Sequence, residues 1–182
     1  PDRIVVGIES EEAEKIINEV FPGLTLYYRD TNLDASLIEK YVVGKILLEP
    51  AFTDCSYHGG GLTGNVRYLI ASSKAAELAK LQPEVQKYGM MVLNAGAFFK
   101  VLDVYEIDGN YQVLLLHIPN HTVDFFRLVK TNIEQTVIDK SRALFEMRVT
   151  QEPIAVLQEE DWKSRIDFPL GISKDGKYYL ED

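Results

Sequence analysis

Cysteine is nearly missing: Cys55 is the only one among 182 residues. A single thiol cannot close an internal disulfide, so the fold must rest on its core and not on a covalent staple. That usage fits a reducing compartment. Pro1-Asp2-Arg3 has no signal-peptide shape, so the default expectation is cytoplasmic. Long apolar runs are also lacking, and no segment approaches the roughly 20 apolar residues of a membrane-spanning helix. Cations are the minority charge, 19 Lys and Arg against 28 Asp and Glu, for a net −9. Nucleic-acid binders need clustered Lys and Arg, which argues against that partner class. A small anionic ligand stays open, because one well-placed arginine can grip it.

What is present points to an ordinary folded domain. Hydrophobic residues make up 46% of the chain, enough for a real core, and the length fits one domain with an appendage. Residues 3–8 read as a strand, followed by a helix capped by Ser10, with Ala13, Ile16, Ile17, Val20 and Phe21 on one face. Residues 24–29 read as a strand. Asp34 then opens a second helix, with Leu37, Ile38, Tyr41 and Val42 along one side, stopping before Pro50.

The glycine-rich stretch 57–64 must be a loop. Strand patterns follow at 66–72, 90–93, 98–107 and 111–118, the last two joined by the hairpin signal Asp108-Gly109-Asn110. The stretch 74–81 has helical composition, for a turn or two of helix. From Thr122 to about Met147 the three- and four-residue spacing predicts one long helix, and Lys174-Asp175-Gly176-Lys177 signals a second hairpin.

Three segments carry the functional reading. Leu24-Thr25-Leu26-Tyr27-Tyr28-Arg29 is an apolar-aromatic run ending in an arginine. Phe52-Thr53-Asp54-Cys55-Ser56 follows. Gly89-Met90-Met91-Val92-Leu93 then leads into Gly96-Ala97-Phe98-Phe99-Lys100-Val101. In this order they resemble the ADP-ribosyltransferases of the arginine–serine–glutamate type, over about residues 24–118. The resemblance implies an α+β fold of two small packed mixed or antiparallel sheets with flanking helices. Residues 1–118 would form that domain, and 119–182 a helix and hairpin extension packed on it.

The resemblance also implies an NAD cleft. Arg29 would clamp the pyrophosphate and Ser56 would orient the ligand, with Tyr28 and Phe52 beside them. Cleavage of the nicotinamide–ribose bond builds an oxocarbenium-like cation, which a carboxylate stabilises. Met91 stands where the family keeps that glutamate, and a thioether offers no charge to replace it. Asp30 stands where the family has glycine. Two functions follow as expectations. One is NAD binding with transfer of ADP-ribose to a protein acceptor; the other is a catalytically inactive module of the same fold that meets a protein partner.

Other chemistries fit less well. His58-Gly59-Gly60-Gly61 looks like an esterase oxyanion segment, but there is no Gly-x-Ser-x-Gly elbow. Cys55, His58, His117 and His121 could in principle hold zinc. Scattered loop and strand-end residues explain them more simply, and no metal site is expected. Trp162, set among acids, is read as an anchor for the tail.

Overall fold

A computed structural model describes residues 11–181, so the run 3–8 and the Ser10 cap lie outside the described residues. Helix α1 (Glu11–Val20) buries Ile17 and Val20, and its first turn carries Glu11, Glu12 and Glu14, where the helix dipole favours acids. Strands β1 (Thr25–Thr31), β2 (Ile46–Glu49), β3 (Thr53–Ser56), β4 (Val66–Ser72), β5 (Ala76–Glu77), β6 (Met90–Leu93), β7 (Ala97–Ile107) and β8 (Asn110–Ile118) make one mixed sheet, and the class is α+β.

The strand order is β2-β7-β8-β4-β1-β3-β6-β5, with only β4 and β8 parallel. Two groups are visible within it. Five strands run from β2 to β1, and three from β3 to β5. They are joined by one register pair, Tyr28 opposite Ser56. The β7–β8 hairpin turns through Asp108 and Gly109, both at positive φ, as a two-residue turn requires.

Side chains alternate across the sheet, so each face has its own core. One face gathers Tyr27, Leu47, Cys55, Tyr68, Ile70, Phe99, Leu115, Leu170 and Ile172. The other gathers Val20, Ile46, Leu69, Leu114, Leu116, Phe126 and Ile138. A third cluster under the three-strand group holds Tyr88, Met90, Leu157 and Trp162. Trp162 lies on α5 (Glu160–Ile166) and stacks on Tyr88 at 5.3 Å, so it anchors the tail as its setting suggested.

Three expectations need correction. The helix opened by Asp34 is only α2 (Ala35–Ile38), and residues 46–49 form β2 instead. Ile46 and Leu47 are buried on opposite faces, a two-sided demand that a strand meets and an amphipathic helix does not. The long helix is two: α3 (Val123–Leu128) and α4 (Asn132–Arg148). Val129 is extended between them. Thr131 and Glu134 form a reciprocal capping box that starts α4 afresh, while buried Lys100 holds the Val129 carbonyl at 2.9 Å. The turn or two of helix expected within 74–81 is a single 3-10 turn, Leu78–Lys80, preceded by the short β5. The tail hairpin is reduced to one bridge, Ile172 to Tyr178. No helix among the described residues is long and apolar enough to cross a membrane.

Candidate functional site

β1 places alternate residues on opposite sides, and this decides the site. Arg29 pairs with Tyr68 and faces the Tyr68 side of the sheet. Tyr28 and Ser56, opposite each other, face the other way. Ser56 donates its hydroxyl to the Tyr88 carbonyl at 2.6 Å and receives the His58 N–H at 2.9 Å. The Tyr28 ring lies under the guanidinium of Arg67. Phe52, just before β3, is exposed. The four residues expected to hold NAD therefore do not share one cleft, and the hydrogen bond from Arg29 to the Phe52–Ser56 segment goes to the main-chain carbonyl of Asp54.

Arg29 is 1% exposed. Nη1 donates to the Asp54 carbonyl at 3.2 Å and Nη2 to the Phe168 carbonyl at 3.1 Å, while the Phe168 ring covers the guanidinium 4.2 Å away. Burial lowers its pKa, against the opposing fields of Tyr68, Glu49 and Asp54. Three buried polar atoms on this face have no hydrogen-bond partner: Arg29 Nε, Thr31 Oγ1 and Thr53 Oγ1. Beside Phe168 a cavity of about 420 Å³ opens, lined by Thr31, Asn32, Thr63, Lys163, Asp167 and Lys174 among others.

The segment covering Arg29 is fixed by its own chemistry. Tyr68 donates to Tyr41 at 2.5 Å, Tyr41 to the Leu170 carbonyl at 2.8 Å, and the Leu170 N–H returns to Tyr68 at 3.2 Å. This closes a ring of three bonds, and burial pushes the Tyr68 hydroxyl up to about 12. One residue on, the Gly171 N–H binds buried Glu49 at 2.8 Å. Residues 168–172 form a strap across β1, β4 and β2. Sequence reasoning gave residues 168–172 no role. The readable signal was Phe168, Leu170 and Ile172, apolar at every second position, the period of an extended segment with one buried side.

Met91 pairs with Cys55 and packs in the same core as Tyr68, on the face of Arg29. Cys55 is buried, its thiol donating toward the Met91 carbonyl, and desolvation raises its pKa to about 12. A thiol held protonated in this way is inert as a nucleophile. Asp30, which replaces the family's glycine, faces away from Arg29 and binds Arg67 through both carboxylate oxygens at 2.8 Å. The Arg67 guanidinium also holds the Gly60 and Gly61 carbonyls. Only glycine fits at 61, since a Cβ there would lie 1.9 Å from the Gln151 carbonyl oxygen. The glycine loop is thus tied into the fold by an ion pair.

The histidines are dispersed. His58 lies against Tyr57, His121 pairs with Glu19, and among the described residues no three metal-ligating side chains gather. His117 Nδ1 and the Ser72 hydroxyl share a hydrogen bond of 2.8 Å, and the Ser72 oxygen also accepts the Lys74 N–H. Burial, then the nearby Lys74 charge, lowers the His117 pKa to about 4. An unfolded histidine titrates near ~6.5, so stability from neutral His117 is complete above that pH and is lost as pH falls towards about 4. Between pH 7 and 5 the protein is expected to lose more urea resistance than its His117→Gln variant. Equal losses in the two proteins would contradict this.

Comparison with known proteins rests on structures. No protein-family model and no curated protein matches the chain. Among solved structures, it is similar to the ADP-ribosyltransferase HopU1 of Pseudomonas syringae over 52% of its length and 46% of that protein, at 18% identity and TM-score 0.47. It is similar to Vis, an ADP-ribosyltransferase of Vibrio splendidus, over 64% and 62%, at 19% identity and TM-score 0.46. C3stau2 from S. aureus, solved with NAD, aligns over 61% of this chain at 12% identity and TM-score 0.44. The likeness is one of fold. The chain spans about half of HopU1 and less than two thirds of Vis.

Proposed function

We propose that this chain is an ADP-ribosyltransferase-like domain acting as a binding module without the transfer reaction. The observation that carries this reading is the closure of Arg29. Its terminal donors are used by two main-chain carbonyls, its face is covered by Phe168, and its exposure is 1%. A clamp in that state has no room for a pyrophosphate. The chemistry is absent as well. Met91 offers a thioether where an oxocarbenium ion needs a carboxylate, and loss of such electrostatic stabilisation costs about 10²–10³ in rate.

Thermal melting with NAD tests the reading. The protein is expected to show no saturable rise in Tm and no release of nicotinamide. Met91→Glu, which restores the carboxylate beneath a closed clamp, is expected to stay silent too. Nicotinamide release by either protein, or a saturable Tm rise in the native chain, would overturn the proposal.

A second reading is favoured by the partnerless Arg29 Nε, Thr31 Oγ1 and Thr53 Oγ1. Buried polar groups without partners are costly, and three on one face fit a polar ligand site held shut. On this reading NAD binds once residues 168–172 are displaced, with Arg29 as its clamp. The two readings separate in a variant whose strap is loosened.

A further inference from the structure

A cavity of about 450 Å³ opens where β4 and β8 end, between the loop after β4, the β6–β7 turn and the end of α1. Arg29 pairs with Tyr68, and Ser72 lies four residues further along β4, about 13 Å away, so this site is separate from the buried guanidinium. Ser72, itself fully buried, organises the polar part of the wall. Its hydroxyl shares a 2.8 Å bond with His117 Nδ1, and its oxygen takes the Lys74 N–H at 3.1 Å. Both His117 and Lys74 line the cavity. Among the described residues His117 Nε2 has no hydrogen-bond partner and the Lys74 ammonium no ion pair. The carboxylate in the wall, Glu19, is already bonded to His121 at 3.0 Å. Phe98, Ile118 and Pro119 supply apolar surface.

We propose that this cavity binds a small organic monocarboxylate, its carboxylate between His117 Nε2 and the Lys74 ammonium and its apolar body against Phe98, Ile118 and Pro119. Charge selects the sign. Burial, and then the Lys74 charge, lower the His117 pKa to about 4, so the ring is neutral and sits in a positive field. An anion placed between the two satisfies the ammonium and favours a proton at the ring. With that proton, His117 donates from Nδ1 to Ser72 and from Nε2 to the ligand, so no new partner has to be found inside the protein. One unpaired cation matches one negative charge, which suits a carboxylate better than a phosphate dianion. Volume sets the class. At about 450 Å³ the cavity falls within the roughly 300–1,000 Å³ of small-molecule sites, which pair apolar surface with a few convergent polar groups. The site stands whether or not Arg29 ever binds a nucleotide.

Benzoate is the probe, titrated into the intact chain while the His117 ring signals are followed by NMR, with the spectrum of His117→Gln identifying them. A saturable shift is expected at His117, and with benzoate bound the ring should take its proton at a higher pH than in the free protein. Benzamide, of the same shape and without the charge, should bind about tenfold more weakly or worse, and Lys74→Glu should weaken benzoate by a similar factor. Lys74 is exposed, and a melting curve confirms that the variant folds. No saturable shift at His117, equal binding of benzamide, or an unchanged benzoate affinity in Lys74→Glu would overturn the proposal. Tighter binding of phenyl phosphate than of benzoate would overturn it too, by making the site one for phosphate esters.

Discussion

Replacing Asp30 with alanine will destabilise the protein by about 3–5 kcal/mol, the range for a buried ion pair that loses one partner. Asp30 and Arg67 lie directly opposite each other on β1 and β4, both buried, and share two bonds of 2.8 Å. Without the carboxylate, a buried guanidinium keeps only the Gly60 and Gly61 carbonyls and the Tyr28 ring. The Thr63 N–H, which donates to Asp30 at 3.0 Å, loses its acceptor as well. In a domain of this size each kcal/mol lowers Tm by roughly 2–4 °C, so the fall should be plain in melting curves and urea titrations. The double change Asp30→Leu with Arg67→Met should recover most of the loss, because it leaves no stranded charge. A single-variant loss under about 1 kcal/mol would show that solvent already shares the pair.

How far the sequence could be read depended on whether a signal was local. The hairpin at Asp108-Gly109 and the core face of α1 follow from turn chemistry and periodicity, and both are found. The motif-bearing strands β1 and β6 were legible for the same reason, whereas the α+β class followed from the family resemblance and β3 was not read as a strand. The 34–49 helix failed because period-3.6 spacing at its start hid a two-sided strand at its end. The site was the least legible part. Which face of the sheet Arg29 and Ser56 occupy depends on the Tyr28–Ser56 register, a long-range fact that no window of sequence contains. Asp30 reads as a charge disturbing a ligand site until Arg67, 37 residues away, is seen opposite it. Phe168 is further still from Arg29, 139 residues along the chain.

Loosening the strap should therefore have the second large effect, and Gly171→Ala is the change to make. Gly171 has φ +75°, where a side chain is strained, and a Cβ there would lie 2.6 Å from the Cβ of Leu47, an atom with no freedom to move aside. Strain and overpacking together are expected to cost about 3 kcal/mol. The cost should concentrate in the strap, since Leu170 and Gly171 give their N–H groups to Tyr68 and Glu49. Amide exchange at these two positions should quicken far more than in β4 or β8, and proteolysis should begin within 167–178. Tyr41→Phe is the milder companion. It takes one member from the ring of three bonds and leaves the Leu170 carbonyl unpaired, at about 1–3 kcal/mol. Uniform loss of protection across the sheet would mean that the strap is an inseparable part of the core. If the strap alone loosens, Arg29 regains solvent with a full set of donors, and NAD can be offered to it. A saturable rise in Tm for Gly171→Ala, absent in the native protein, would establish a closed nucleotide clamp. No rise, with exchange data proving the strap free, would leave Arg29 as a structural cation and the domain as a binding module.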